Sequence, residues 1–352
     1  MKSIRCQFIV VAAVSLLSAI TAPGSSLRLP ASAPRLELAS KDQAGDKDKQ
    51  SAPSDAEQKA LARVEAAAEV PAKIQAAGEF VKKFPKSSLR PKVIGYLVQE
   101  TEKLPDAAQR FTQFESIVTL FKDPADSAVI VPILVEAYVK ENKFDDVFRV
   151  ATDYFAKGPA DLALLTRVAL VGVDQARQNN PKFISQAQQY GAKAIEIIES
   201  GKKPETFDDE KWKQYQTVWL PTLYQSLGML SMMTNNRDDA RAKIDKAMAL
   251  NNKDPFNYVL HGSMLNDEYQ QLAQQHKTLA AGPLKDSVLK QAHEKLDLIV
   301  DAYAHAVALS EGNAQYQMLH DQILQDLQSY YKYRHGGSTD GLQQLIDKYK
   351  QP

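Results

Sequence analysis

Three pairs of adjacent aspartates are the first groups in this sequence that could do chemistry: Asp145-Asp146, Asp208-Asp209 and Asp238-Asp239. Two acids side by side can share a proton for general acid–base work, or give oxygens to a divalent cation. Either role needs further oxygens converging from elsewhere, and the chain has no Asp-x-Asp-x-Asp-Gly loop. Each pair stands where the pattern predicts the start of a helix. There a side-chain oxygen caps free N–H groups, and negative charge meets the positive helix end. Capping is the expected role of all three pairs.

The six histidines, His261, His276, His293, His305, His320 and His335, all fall in the last part of the chain. None forms a His-x3-His or His-Glu-x-x-His pair, so helical spacing alone places no two on one metal. The segment "RHGGSTDG", Arg334 to Gly341, superficially resembles a lipase oxyanion loop and a nucleophile elbow. Asp340 occupies the position where Gly-x-Ser-x-Gly needs its last glycine, and the context is helix–loop–helix, not strand–turn–helix. Gly336-Gly337 is expected to stop a helix, with Ser338, Thr339 or Asp340 capping the next. No glycine-rich phosphate loop occurs, and "SGKKP" at Ser200 reads as a helix end. The only cysteine, Cys6, precedes the first apolar run, so thiolate chemistry and cysteine–zinc sites are not expected in a mature chain. Two aromatic stretches remain, "WKQYQTVWLPTLY" with Trp212, Tyr215, Trp219 and Tyr224, and "SYYKYRH" with Tyr330, Tyr331 and Tyr333. They suit hairpin packing, or a platform for a peptide or sugar. No catalytic residue, metal or cofactor is assigned.

The elements that position these groups follow from composition and period. The chain has 352 residues, 44% hydrophobic and 24% charged, with 43 basic and 43 acidic side chains. A formal net charge of zero argues against wholesale attraction to nucleic acid or anionic lipid. The start, "MKSIRCQFIVVAAVSLLSAITA", puts Lys2 and Arg5 before an apolar run from Phe8 to Ala22. That run is short for a spanning helix and fits a signal peptide over residues 1–22. An uncleaved N-terminal anchor is the alternative, and the only expected contact with a membrane. Residues 23–54, rich in Pro, Ala, Ser, Gly and mixed charge, predict a disordered linker. Beyond residue 55 every segment to about 350 shows helical rather than alternating period.

The helices come in pairs. In "LYQSLGMLSMMTNNRDDARAKIDKAMA", Tyr224, Leu227, Gly228 and Ser231 share one face. Asn235-Asn236-Arg237 turns the chain, and Ala240, Ile244 and Ala247 form the face of a second helix. "VPILVEAYVKENKFDDVFRVATDYFAKGP" repeats the pattern with Val131, Leu134, Val135, Tyr138, Phe144, Val147, Ala151, Tyr154 and Pro159. "PKVIGYLVQETEKLPDAAQRFTQF" repeats it with Ile94, Gly95, Val98, Ala107, Phe111 and Phe114. These segments resemble the tetratricopeptide repeat, whose small residues let two antiparallel helices approach closely. The best matches span about 88–122, 128–159 and 221–255. Ser231, where the family has an aromatic, and the late Pro255 depart from its pattern. In that alignment Pro91, Pro132 and Pro221 fall in the first turn of a first helix, where a missing N–H costs little. From Pro255 the helices lengthen: one to about Ala280, one from Pro283 to about Leu309, and two more around Gly336-Gly337.

The resemblance implies an all-α, right-handed solenoid of about seven antiparallel helix pairs over residues 55–350. It also implies a concave groove lined by first helices. Mapped here, that groove takes Lys92, Tyr96, Gln99 and Glu100 from one pair, Glu136 and Lys140 from the next, and Gln225, Met229, Met232 and Met233 from another. The implied function is non-catalytic binding of a protein or peptide partner by an exported envelope scaffold. Two other readings are compatible with stacked hairpins. One is an α/α-toroid lyase or glycosidase, which needs paired carboxylates in an aromatic cleft. The other is a self-associating structural component of the envelope.

Overall fold

A computed structural model describes residues 52–158 and 160–350. The signal peptide and nearly all of the linker expected from the sequence lie outside the described residues. All regular structure among those residues is helical, in keeping with an all-α fold. The helices form two compact units, residues 52–171 and 172–350, and the division falls within one helix, Leu162–Arg177.

The first unit is built from α1 (Asp55–Ala66), α2 (Val70–Lys83), α3 (Arg90–Glu102), α4 (Ala107–Leu120), α5 (Pro124–Lys140), α6 (Phe144–Phe155) and the start of α7 (Leu162–Arg177). Its helix ends are written in the sequence. Ser54 and Glu57 make a reciprocal capping box at α1, and Asp106 accepts from the Gln109 N–H at α4. Pro71, Pro91 and Pro124 occupy the first turns of α2, α3 and α5. From α1 to α5 each helix packs against the next and against the next but one, and α5 then pairs with α6. The seam is filled by Phe80, Ile94, Leu97, Phe114, Ile117, Phe121, Leu134, Tyr138 and Phe148, all buried. Burying one such side chain contributes roughly 1.5–3 kcal/mol. Pro132 is not in a first turn. It lies inside α5, which begins at Pro124 with Asp123 as its cap residue. The apolar period starting near residue 128 hides the real start, because Asp126, a polar residue of the first turn, is itself buried.

The second unit holds the rest of α7, a 3-10 turn over 181–183, α8 (Ile184–Glu199), α9 (Asp209–Gln214), α10 (Leu220–Met233), α11 (Arg237–Leu250), α12 (Pro255–Thr278), α13 (Pro283–Ser310), α14 (Gln317–Arg334) and α15 (Leu342–Asp347). The helix following Pro255 and the one following Pro283 have nearly the expected lengths. Pro221 lies in the first turn of α10 as expected, but that helix does not begin freely: a π-helical turn, Tyr215–Trp219, joins α9 to α10 without a break. Proline has no N–H to give the carbonyl four residues back. A wider turn just before it, in which the Leu220 N–H bonds Tyr215 O, accommodates that loss.

Three pairs turn by one device. Asn142, Asn179 and Asn235 each take a positive φ of 57–62°. The next N–H then reaches back to Tyr138 O, Gln175 O and Ser231 O at 2.9, 2.9 and 2.8 Å. This is the left-handed helix stop that asparagine tolerates better than other side chains. Close packing follows the turn. A Cβ placed on Gly228 would lie 2.8 Å from Ile244 Cγ1, so α10 and α11 touch where the repeat pattern put its small residue.

Candidate functional site

The groove positions divide between the two units and meet different fates. In the first unit, α3 and α5 are the first helices of consecutive pairs and pack side by side. On α3, Lys92 and Gln99 are exposed, while Tyr96 and Glu100 are half-buried; on α5, Lys140 is exposed and Glu136 half-buried. All six therefore reach the surface of one unit.

Tyr96 and Glu100 are held from below by a residue outside the mapped set. Lys73, on α2, is buried and donates to the Tyr96 hydroxyl at 2.5 Å, with its Nζ 3.1 Å from Glu100. The hydrogen bond to Tyr96 is the first reason its ammonium is held above the usual lysine range, against the pull of burial. Glu100 also pairs with Lys103 at 2.5 Å, and Lys103 and Lys73 together hold its carboxyl below the usual range. Glu136 is gripped by Arg167, with Nε 2.6 Å from one oxygen and Nη2 2.9 Å from the other. Such a fork fixes the carboxylate's direction. Lys92 stands 3.8 Å from Glu65, a loose exposed pair. The chemistry on offer is thus a set of fixed polar groups flanked by two exposed lysines, Lys92 and Lys140.

In the second unit the mapping fails for two of four residues. Gln225 is 8% exposed and Met229 2% exposed, so neither lines an open surface. The cause is that α10 is covered by α8, α11 and α12 together. Gln225 donates to Asp254 at 2.8 Å and to Asn257 at 2.9 Å, both at the start of α12. Met229 receives the Arg177 Nε–H at 3.4 Å, and the same guanidinium lies over the Phe256 ring. Burial pulls Arg177 below the usual arginine range. Met232 and Met233 remain half-buried.

The aspartate pairs all sit at helix starts, but only one of them caps. Asp208 accepts from the Lys211 N–H at 2.7 Å. Asp145-Asp146 and Asp238-Asp239 lie in first turns whose cap residues are Lys143 and Asn236. Asp146 pairs with Arg149 at 3.0 Å, and Asp239 bonds Lys243 and Ser231. A first-turn acid still benefits from the helix dipole, so the position was legible and the partner was not. At the end of the chain, the residue before α15 is Gly341, in a left-handed conformation, rather than Ser338, Thr339 or Asp340.

The aromatics pack inward. Phe207, Trp212, Tyr215 and Trp219 form one buried group, with ring centroids 4.8–6.3 Å apart. Tyr330 donates to Asn266, and Tyr331 to the Asp340 carbonyl at 2.7 Å. His305 lies between Tyr258 and Tyr349, 3.7 and 4.3 Å from their ring centroids. Among the described residues no three acidic, histidine or cysteine side chains stand close enough to hold a metal ion, and no helix is long and apolar enough to cross a membrane.

Sequence reasoning passed over a buried ion cluster that joins α3 to α5. Arg90 binds Asp126 through Nε at 3.1 and 3.2 Å and through Nη2, Asp123 at 2.9 Å, and the Pro85 carbonyl at 2.8 Å. Arg90 and Asp126 each stand in a polar stretch ahead of their helix's apolar run, where charges read as solvated. The chain matches no family model and no curated protein.

Proposed function

We propose that the protein is a non-catalytic interaction protein whose helical pairs stack as tetratricopeptide-like repeats. The proposed surface, on the first unit, takes a peptide or protein partner. The observation that carries this is the side-by-side packing of α3 and α5 with Lys92, Tyr96, Gln99, Glu100, Glu136 and Lys140 all reaching solvent on them. Consecutive first helices presenting polar and aromatic side chains make a continuous strip, which is how stacked hairpins hold extended ligands. The packing of each helix from α1 to α5 against its next and next-but-one neighbour supports a solenoid of stacked pairs in the first unit. The apolar N-terminal run and the polar stretch after it support export and tethering in the cell envelope. Equal numbers of basic and acidic side chains support a protein partner over nucleic acid.

The test is a triple variant, Lys92→Glu, Gln99→Ala and Lys140→Glu, used as bait on the native envelope fraction beside the parent chain. All three side chains are exposed, so the fold and its circular dichroism should be retained. Partners identified by mass spectrometry with the parent should be lost with the variant. An unchanged set of partners removes the assignment of this surface.

A further inference from the structure

Residues 338–350 of the second unit form a strap. The chain leaves α14 through Gly336 and Gly337 and enters α15 at Gly341, and the three glycines take positive φ angles of 63°, 95° and 85°. Glycine adopts such angles without a steric penalty, so the chain can swing there with little resistance. The helix of the strap, α15, is 6 residues long and packs chiefly on α13. Leu342 and Ile346 are its buried side chains. Tyr331 on α14 steadies the near end by donating to the Asp340 carbonyl at 2.7 Å.

Beyond α15 the strap lays Lys348, Tyr349 and Lys350 on a seat formed by α12 and α13. The Tyr349 ring stacks on His305, with centroids 4.3 Å apart and planes 12° apart. His305 rests in turn against Tyr258 of α12 at 3.7 Å, and the Tyr258 hydroxyl donates to the Asn252 carbonyl at 3.1 Å. The Tyr349 hydroxyl bonds Asp301, and Lys348 Nζ stands 3.7 Å from the same carboxylate. Lys350 pairs with Glu311 at 2.6 Å. Among the described residues, Asp301 and Glu311 have no other ion-pair partner than these two lysines. Lifting the strap would open one face of the imidazole and leave two acids without counter-ions. The seat therefore reads one pattern, an aromatic ring between two cations. Both lysines are exposed, and exposed ion pairs hold weakly, so the strap depends on two apolar side chains and a ring stack.

We infer that residues 338–350 occupy in cis a docking seat on α12 and α13 that takes a basic–aromatic–basic segment of a protein partner, which displaces the strap. The segment lying on the seat, Lys348-Tyr349-Lys350, shows the chemistry the seat accepts. The inference rests on the interaction reading above in taking this to be a binding protein, but the seat shares no residue with the α3–α5 surface. The strap is a tethered competitor. On a short hinge it stands at an effective concentration of about millimolar, so only a segment that supplies both the ring and the cations displaces it.

The experiment uses the full chain and a fluorescent peptide of residues 342–350 carrying Lys348→Arg and Lys350→Arg, read by anisotropy. In the chain, Tyr349→Ala with Lys350→Ala disables the strap and leaves the seat intact. It should tighten peptide binding about tenfold by weakening the tethered competitor. Adding Asp301→Asn and Glu311→Gln to that chain should reverse the gain. A control peptide with Lys348→Glu, Tyr349→Ala and Lys350→Glu should not bind. If the variants melt early, hydrogen exchange on the unaltered chain still decides. Excess arginine peptide should speed amide exchange over residues 342–349 of the chain, and its arginines distinguish it from the chain by mass. Equal binding by parent and strap variant, binding that survives the seat substitutions, or strap exchange indifferent to the peptide would each overturn the inference. Loss of envelope partners through the α3–α5 variant, with the strap undisturbed by the peptide, would overturn the seat and leave the first surface standing. Displacement of the strap by the peptide, with partner capture indifferent to α3–α5, would do the reverse.

Discussion

Gly262→Ala is the sharpest test of how α12 meets α13. Glycine in mid-helix costs up to about 1 kcal/mol against alanine, so an exposed site would gain from the change. Here the new Cβ would sit 2.3 Å from Tyr303 Cε1 and 2.7 Å from Cδ1. Carbon atoms in contact prefer about 3.5–4.0 Å, so the ring would have to retreat by more than about 1 Å. It has nowhere to go, because Tyr303 is fully buried. Overpacking of this kind costs about 1–3 kcal/mol, and a clash with an immobile ring belongs at the upper end. Subtracting the helical gain leaves a net loss of about 2 kcal/mol. For a unit of this size that lowers the melting temperature by about 4–8 °C. Gly78→Ala is the matched control. It lies in mid-α2, and its Cβ would meet only Leu120 Cδ1 at an ordinary 3.7 Å, so it should stabilise by about 0.5–1 kcal/mol. Thermal melts followed by circular dichroism at 222 nm compare the two. Tyr303→Leu should relieve most of the Gly262→Ala penalty. If Gly262→Ala melts at or above the parent, the helices do not approach as described and the reasoning is wrong.

Other outcomes follow from the charged groups. Asp126→Ala leaves the buried Arg90 with only the exposed Asp123 and the Pro85 carbonyl and should cost about 3 kcal/mol, whereas Asp126→Leu with Arg90→Met should come close to neutral in urea unfolding. Burial lowers the pKa of His305 below its usual 6.5, the field of Asp301 opposing. The unfolded chain therefore takes up a proton first, and stability present above pH 6.5 declines as the pH falls through that value toward the lower folded pKa. His305→Gln should flatten this part of the stability profile; an unchanged slope would remove His305 as its source. At Asp239 burial raises the carboxyl, but the bonds from Lys243 and Ser231 outweigh it and leave its pKa below 3.8. Its contribution is present above that pH and is lost as acid protonates the folded form, a loss that Asp239→Asn should abolish in acid titration.

The linear order of residues determined the helices of this protein and many of their ends. Prolines in first turns, asparagine at three helix stops and the Leu227-Gly228 step are local signals, because capping and left-handed turns depend on a few adjacent residues. The close approach of α10 to α11 was legible for the same reason, since a small residue on a helical face has one purpose when a bulky one follows at the pairing distance. What the sequence left open was how many neighbours cover each helix. Gln225 and Met229 fall on a face that one hairpin leaves bare, and only the arrival of α12 and Arg177 buries them. Lys73, Arg90 and Asp126 read as solvated charges until distant acids and bases close around them. Tyr303 reads as one more core aromatic until Gly262 and Tyr330 are seen beside it. Helical period fixes which side of a helix points inward toward its sequence partner. Burial and charge compensation depend on side chains tens of residues away, and those meet only when the helices pack.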